Sequence, residues 1–316
     1  MKEKSFAGVD CHKNTIACSF KGQTKEFQTT PKGFSQALKW TGNNSYWAVE
    51  GAYHYGLTFS SFLISKGFKV YEFNALRTAN ARKVYSISGG KTDFIDAQII
   101  AKIAPDVKLQ EVSLNTIELK RKITQRELFV KQRTEVINNL KACIIQTGIQ
   151  SPYKYFVSKK SINWLLNHQD THLKYAGTIL ASLQDLIEKL EQEIEEITPQ
   201  KALNLVKIKG ISKYRAAVIY CETKGKKMTK AQFANYCGTA PVPCSSGETD
   251  KYRNNHRGNR KLNCHIYSIS ICQSKYDPVG SEYYQRKITE GKTKRHARKC
   301  LSRQICNQIW KILFKD

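Results

Sequence analysis

Acidic residues are scarce in the first third of this 316-residue chain: seven in residues 1–104, against fourteen Lys and Arg. Four of the seven stand at positions where a solitary charge needs a reason. Asp10 ends the run SFAGVD, Glu50 ends the run YWAVE, and Asp93 and Asp96 are three apart, on one face of any helix they share. An acid at the end of a buried strand is costly unless a cation pairs with it. Taken singly, each is explained as well by capping or pairing: Asp10 closes a turn, Glu50 meets a Lys, Asp93 favours a helix start. Taken together, they read as a divalent-metal site. Oxygen donors suit Mg2+ or Mn2+, which bind few carboxylates and keep positions open for water and phosphate. Such ions activate a nucleophile and stabilise a leaving oxygen in phosphodiester chemistry. His12 is near enough in sequence to touch that site, although a surface-turn histidine explains it as well.

The elements that must position these acids follow from the local pattern. Residues 5–10, 15–20 and 25–29 read as three strands, and Pro31 opens a helix because proline is tolerated in a first turn. Residues 46–50 form a buried strand, residues 54–66 a helix stopped by Gly67, residues 68–73 a further strand, and residues 93–103 a helix with Thr92 as N-cap. Three strands followed by helix, strand, helix, strand, helix predict an α/β domain with a mixed sheet.

Beyond residue 104 the pattern changes. Ile123, Val130, Ile137 and Ile144 recur every seven residues, and Leu183, Ile187, Leu190, Ile194 and Ile197 step by four and three. Both are heptad patterns, of an antiparallel helical hairpin or an intermolecular coiled coil. The sequence therefore predicts three parts: residues 1–104, a helical middle over 105–204, and a mainly helical part over 205–316. The last opens on KIKGIS, residues 207–212, which resembles a helix-hairpin-helix turn whose backbone amides approach phosphate. Residues 239–260 are polar and poorly periodic and read as a functional loop.

Charge supports a polyanionic partner. The net charge is +26, of which +17 falls in residues 207–316, and nucleic acid is the default polyanion for a field of that size. Arg253, His256, Arg257, Arg260 and Lys261 form one basic cluster; Lys292, Lys294, Arg295, Arg298 and Lys299 form a second. Both read as phosphate contacts. Tyr283 and Tyr284 offer rings for base stacking or for core packing. The Cys and His residues between positions 237 and 265 lack the paired spacing of structural zinc sites. No apolar run reaches membrane-spanning length and no secretory leader is evident, which predicts a cytoplasmic protein without a membrane partner. The segment APVPCSSGE at residues 240–248 sets two hydroxyls, Ser245 and Ser246, beside a glycine. By composition alone that is ordinary turn chemistry.

The order of these motifs resembles the DEDD-type transposases of the insertion-sequence-110 family. GVD with His12 and Lys13 is similar to the family's first motif, Glu50-Gly51-Ala52-Tyr53-His54-Tyr55 to its second, and Lys91-Thr92-Asp93-Phe94-Ile95-Asp96-Ala97 to its third. The departure is Ala52-Tyr53, where the family usually has Thr and Gly. In the second half, Gly238, Pro241, Ser246-Gly247, Arg257-Gly258-Asn259-Arg260-Lys261-Leu262-Asn263, Tyr276-Asp277-Pro278 and Gly291-Lys292-Thr293 fit the family's transposase domain.

The resemblance implies a RuvC-like ribonuclease-H fold for the first domain, with Asp10, Glu50, Asp93 and Asp96 as its metal-binding acids. It implies that Ser246, or Ser245 beside it, is the nucleophile that forms a phosphoserine intermediate with DNA. It also implies a composite site across subunits of a homo-oligomer (dimer or tetramer), double-stranded DNA of the element ends and target as substrate, a structured bridge RNA as guide, and a prokaryotic, nucleoid-associated location. A Holliday-junction-type nuclease working through the four acids alone is the alternative.

Overall fold

The computed structural model describes residues 5–42, 46–85, 91–246, 249–255 and 258–315, with backbone alone at Tyr85, 243–246 and 249–254. The chain divides into two compact units, Met1–Lys120 with Lys224–Lys226, and Arg121–Thr223 with Lys227–Asp316.

The first unit is a mixed α/β sheet. Its elements are β1 (Phe6–Cys11), β2 (Thr15–Phe20), β3 (Gln23–Gln28), α1 (Pro31–Thr41), β4 (Tyr46–Glu50), α2 (Leu57–Ser65), β5 (Val70–Phe73), α3 (Ala75–Tyr85), α4 (Asp93–Ile103) and β6 (Gln110–Glu111). The strand order is β3-β2-β1-β4-β5-β6. β1, β2 and β3 form an antiparallel meander, whereas β1–β4 and β4–β5 pair in parallel. A parallel pair needs a crossover, and α1 and α2 supply the two. The arrangement is consistent with a RuvC-like sheet.

Side chains alternate across β4 as strand geometry requires. Trp47 and Val49 join Phe34 of α1 and Phe59 of α2 in one core, while Ala48 joins Ile100 of α4 and Phe73 in another. Thr30 caps α1 by accepting from the Gly33 amide, and Thr92 caps α4 by accepting from the Ile95 amide. Two elements have no counterpart in the sequence reading. β6 is two residues long. α3 carries Arg77, Thr78, Asn80, Arg82 and Lys83 and shows no apolar stripe; Asn74 starts it by accepting from the Leu76 amide at 2.8 Å.

The second unit is mainly helical. A long helix, α5 (Leu114–Thr147), begins in the first unit and continues through this one, followed by α6 (Lys159–Leu166) and α7 (Thr171–Ile197). Lys122 pairs with Glu193, Arg126 with Glu191, and Arg133 with Gln184. One number falls as the other rises, so α5 and α7 run antiparallel. Leu180, Leu183, Ile187, Leu190 and Ile194 are buried along α7, and Ile123 and Leu140 along α5.

Next come α8 (Gln200–Leu203), α9 (Lys213–Thr223), α10 (Lys230–Tyr236), β7 (Pro241–Ser246), β8 (Thr249–Asn254), α11 (Arg260–Tyr276), α12 (Pro278–Thr289) and α13 (Lys294–Phe314). Ile219, Phe233, Leu262, Ile266, Leu301, Ile305 and Ile309 form their shared core. The segment read as a loop over 239–260 instead holds an antiparallel pair, β7–β8, with Pro241 opposite Asn254 and Ser246 opposite Thr249. Its prolines hid it, because proline cannot donate to a ladder. On a two-stranded ladder each strand is an edge, and two prolines spaced by two fall on the same kind of pairing site.

Candidate active site

The four acids of the first unit are set at the ends of elements that the sheet holds in register. Asp10 is the penultimate residue of β1, and Glu50 ends the neighbouring parallel strand β4. Asp93 and Asp96 occupy the first turn of α4. What brings α4 to β1 is Gly8. A Cβ at that position would lie 2.2 Å from the Ala101 amide nitrogen and 2.4 Å from the Ala97 carbonyl oxygen. Only hydrogen fits, and the helix lies directly on the strand that carries Asp10.

The side chains then meet partners that are not acids. His12 Nε2 is 2.9 Å from Asp93 Oδ1 and 3.8 Å from Asp10 Oδ2. Arg82 grips Asp96 with two parallel bonds, Nε to Oδ1 at 2.8 Å and Nη2 to Oδ2 at 2.9 Å. The Thr78 hydroxyl donates a short hydrogen bond to Glu50 Oε2. Asp10 and Asp96 are buried. Burial drives the Asp10 carboxyl above its usual range; Asp93 and Asp96 push the same way and His12 opposes them. Burial likewise raises Glu50, with Asp10 and Asp96 adding to the shift and Thr78 and Arg82 countering it. Asp10 and Glu50 therefore each feel other acids of the set.

This donor set fits a hard divalent cation. Ligand atoms of Asp10, His12 and Asp93 lie within 4.8 Å of one another, and a dication would offset the burial and like-charge repulsion that raise Asp10 and Glu50. The sequence reading left Thr78 and Arg82 out, because α3 has no periodic apolar face to reveal it. The only available signal was Asn74 ahead of an Ala-, Leu- and Arg-rich run.

In the second unit the segment carrying Ser245 and Ser246 is pinned at its base. Asn255 Nδ2 donates to the Asn235 carbonyl at 2.8 Å, and the Asn259 amide to the Tyr236 carbonyl at 2.6 Å. Asn263 Nδ2 donates to the Cys237 carbonyl at 2.9 Å, and Asn259 Oδ1 caps α11 at the Leu262 amide. Gly258 makes this possible: a Cβ there would lie 2.7 Å from the Gly238 nitrogen and 2.9 Å from the Tyr236 carbonyl oxygen. Residues 258–263 thus tie the β7–β8 pair to α10. Ser246 ends β7; Gly247 and Glu248 lie outside the described residues.

The predicted phosphate contacts separate. Arg253 is described by its β8 backbone, and Arg257 lies outside the described residues. Arg260 is exposed at the start of α11, but Lys261 pairs with Glu127 at 2.8 Å. That carboxylate also accepts from the Tyr214 hydroxyl at 3.0 Å, and Arg126 lies 4.0 Å over the Tyr214 ring. Lys292 pairs with Glu290 at 2.8 Å. Arg298 is packed against Tyr267 and Tyr284, 5.7 Å from each ring centre. Lys294 and Arg295 are exposed in the first turn of α13. Among the described residues no helix is long and apolar enough to cross a membrane.

Comparison with known proteins finds similarity in both halves. A family model described as a transposase, of the insertion-sequence-110 DEDD type, matches residues 7–149. A second model matches residues 202–285. Each half of the chain is thus similar to a transposase model. The second model is described as the transposase IS116/IS110/IS902 family, which narrows the likeness to insertion-sequence-110 transposases. The chain is also similar to the uncharacterized 42 kDa protein of insertion element IS900 from Mycobacterium paratuberculosis, with 34% identity over 83 residues. That stretch is 26% of this chain and 21% of the relative, so the match spans about a fifth of the relative's length.

Proposed function

We propose that this chain cuts and rejoins DNA as a transposase of the insertion-sequence-110 kind, with a divalent metal held by Asp10, Glu50, Asp93 and Asp96 and with Ser246 as nucleophile. The observation that supports the reading is the cluster of Asp10, His12 and Asp93, whose ligand atoms lie within 4.8 Å of one another, in a chain whose two halves both match transposase models.

In the reaction, Ser246 Oγ attacks the phosphorus of a phosphodiester. A serine–phosphate bond forms, the bond from phosphorus to the 3′ oxygen breaks, the serine hydroxyl loses its proton and the departing 3′ oxygen gains one. The 3′ hydroxyl of the receiving strand then reverses the step, so no external energy source is needed. When bound, Mg2+ or Mn2+ supplies charge for the phosphate and lowers the pKa of the attacking or leaving oxygen. Arg82 holds the Asp96 carboxylate in one orientation, Thr78 does so for Glu50, and His12 orients Asp93 against Asp10.

The parts of the chain take matching roles. Residues 1–104 are the RuvC-like metal domain, residues 105–204 a coiled-coil region for homo-oligomer assembly, and residues 205–316 the serine-bearing domain. The turn at residues 207–212 between α8 and α9 acts as a helix-hairpin-helix-like phosphate contact. DNA of the element ends and target is the substrate, and a structured guide RNA supplies sequence choice by base pairing. Arg253, Arg257 and Arg260 supply charge for binding that nucleic acid.

The deciding experiment incubates the purified protein with Mg2+, labelled element-end DNA and RNA transcribed from the flanking non-coding DNA. A denaturing gel reads covalent protein–DNA adduct in wild type, Ser246→Ala and Ser245→Ala. The expected result is an adduct that needs Mg2+ and Ser246. Cutting that survives both serine changes without adduct would leave a nuclease that uses the four acids alone.

A further inference from the structure

The second unit contains a basic cleft of about 530 Å³ that the machinery above does not use. One wall is a face of α13: Arg295, Lys299 and Arg303 recur every fourth residue, with His296 beside them. Tyr283 of α12 and, where the chain enters β7, Thr239 and Pro241 also line it. Arg295 and His296 are exposed while Lys299 and Arg303 are half-buried, so the cations run from rim to floor. No acid lines the cleft among the described residues, and the sequence has none between Glu290 and Asp316. Desolvation and the Arg295 charge both lower the Lys299 ammonium pKa. The first turn of α13, capped by Thr293, adds the positive end of a 21-residue helix at the same rim.

We propose that this cleft is a DNA-backbone site that seats the strand flanking the phosphate attacked by Ser246. The inference rests on the function proposed above. Four residues of helix rise about 6 Å, so the row from Arg295 to Arg303 spans about 12 Å. At about 3.4 Å of axial rise per nucleotide that is room for about three successive phosphates of one strand. From Pro241 in the lining to Ser246 at the end of β7, five strand residues span about 17 Å. The strand held by α13 is thus offset from the attacked phosphate by about five nucleotides. The choice of DNA over RNA follows from this continuity: the cleft opens at the root of the strand that carries the nucleophile.

The test measures binding in EDTA, where no chemistry proceeds. The probes are a labelled 30-base-pair DNA duplex and a labelled RNA hairpin of equal charge, titrated at several salt concentrations. The variants are Arg295→Gln/Lys299→Gln/Arg303→Gln, which keeps the long side chains, and Arg295→Lys/Arg303→Lys, which keeps the charge. Each neutralised phosphate contributes about 0.9 to the slope of log K against log salt. The neutral variant should lose about 2 to 3 from that slope on duplex DNA and little on RNA, and the lysine variant should restore most of it. A loss confined to RNA, or an unchanged slope on DNA, overturns the assignment. Exposed Arg295→Gln alone, with an expected loss of about 0.9, decides the matter if the triple variant fails to fold. Failure of the wild type to bind DNA at all would instead sink the proposed function itself.

Discussion

The two sites use the same device in very different settings. In the first unit Gly8 lets α4 touch β1, and the result is a set of acids fixed by a six-stranded sheet. In the second unit Gly258 lets the chain touch Gly238, and the result is a two-stranded ladder anchored at its base by asparagines. The carboxylates need several atoms held at once, so each stands on an element packed into a core. Under the proposed function the serine would need to deliver one atom, and its ladder is set in register by strand pairing and tied down at one end. A site that binds a charge is built for fixed distances, whereas a site that delivers an atom is built for reach.

The sharpest way to break the comparison is chemical. Asp10→Asn and Ser246→Ala should each reduce strand transfer by at least about a thousandfold, and the double variant should lose little more, as expected when groups act as a unit. Gly8→Ala comes next. The added methyl meets backbone, so a loss of about 1–3 kcal/mol or more is expected in urea unfolding, with activity lost as Asp93 and Asp96 move away from Asp10. Gly258→Ala should lower activity through Ser246 while leaving Mn2+ binding intact.

Arg82→Gln removes the partner of a buried carboxylate and should destabilise the protein by about 3 kcal/mol in EDTA. Thermal melting with added Mn2+ should recover part of that loss; no recovery would argue against a cation at Asp96. The smallest effects are in pH. The folded pKa values of Asp10 and Glu50 lie above the unfolded 3.8 and 4.5. The folded state therefore binds more protons, and metal-free stability declines as pH rises through that window. Asp10→Asn should flatten the decline and raise the metal-free Tm at pH 7. His265 behaves in the opposite sense. Burial, aided by Arg215, lowers its pKa below 6.5, so its contribution is full above 6.5 and is lost as pH falls below it. The difference in melting between wild type and His265→Gln from pH 8 to pH 5.5 reads that term.

How much of this was legible beforehand depends on whether side chains or backbone carried the signal. β1, β4, α4 and its Thr92 cap announced themselves through apolar runs and capping chemistry, and with them Asp10, Glu50, Asp93 and Asp96 stood out as candidates. α3 stayed hidden because its face toward the acids is Thr78 and Arg82, so the residues that hold the site erased the periodicity that would have revealed their helix. The β7–β8 ladder stayed hidden because backbone pairing leaves no mark in a run with two prolines. The basic clusters were visible as charge but not as partners. Lys261 and Lys292 turn to carboxylates, Arg298 turns to tyrosines, and Arg303, outside the predicted clusters, lines the cleft with Lys299.

Gly8 also bears on how this protein can change over generations. It would touch no phosphate and bind no ion, yet it admits no side chain at all. A random library selected for transposition should therefore purge position 8 as severely as position 10, while an exposed helix position such as Lys32 of α1 drifts freely. A survey of survivors that looked only for chemically reactive residues would count Gly8 as neutral, and would miss that the spacing between two backbones is itself under selection.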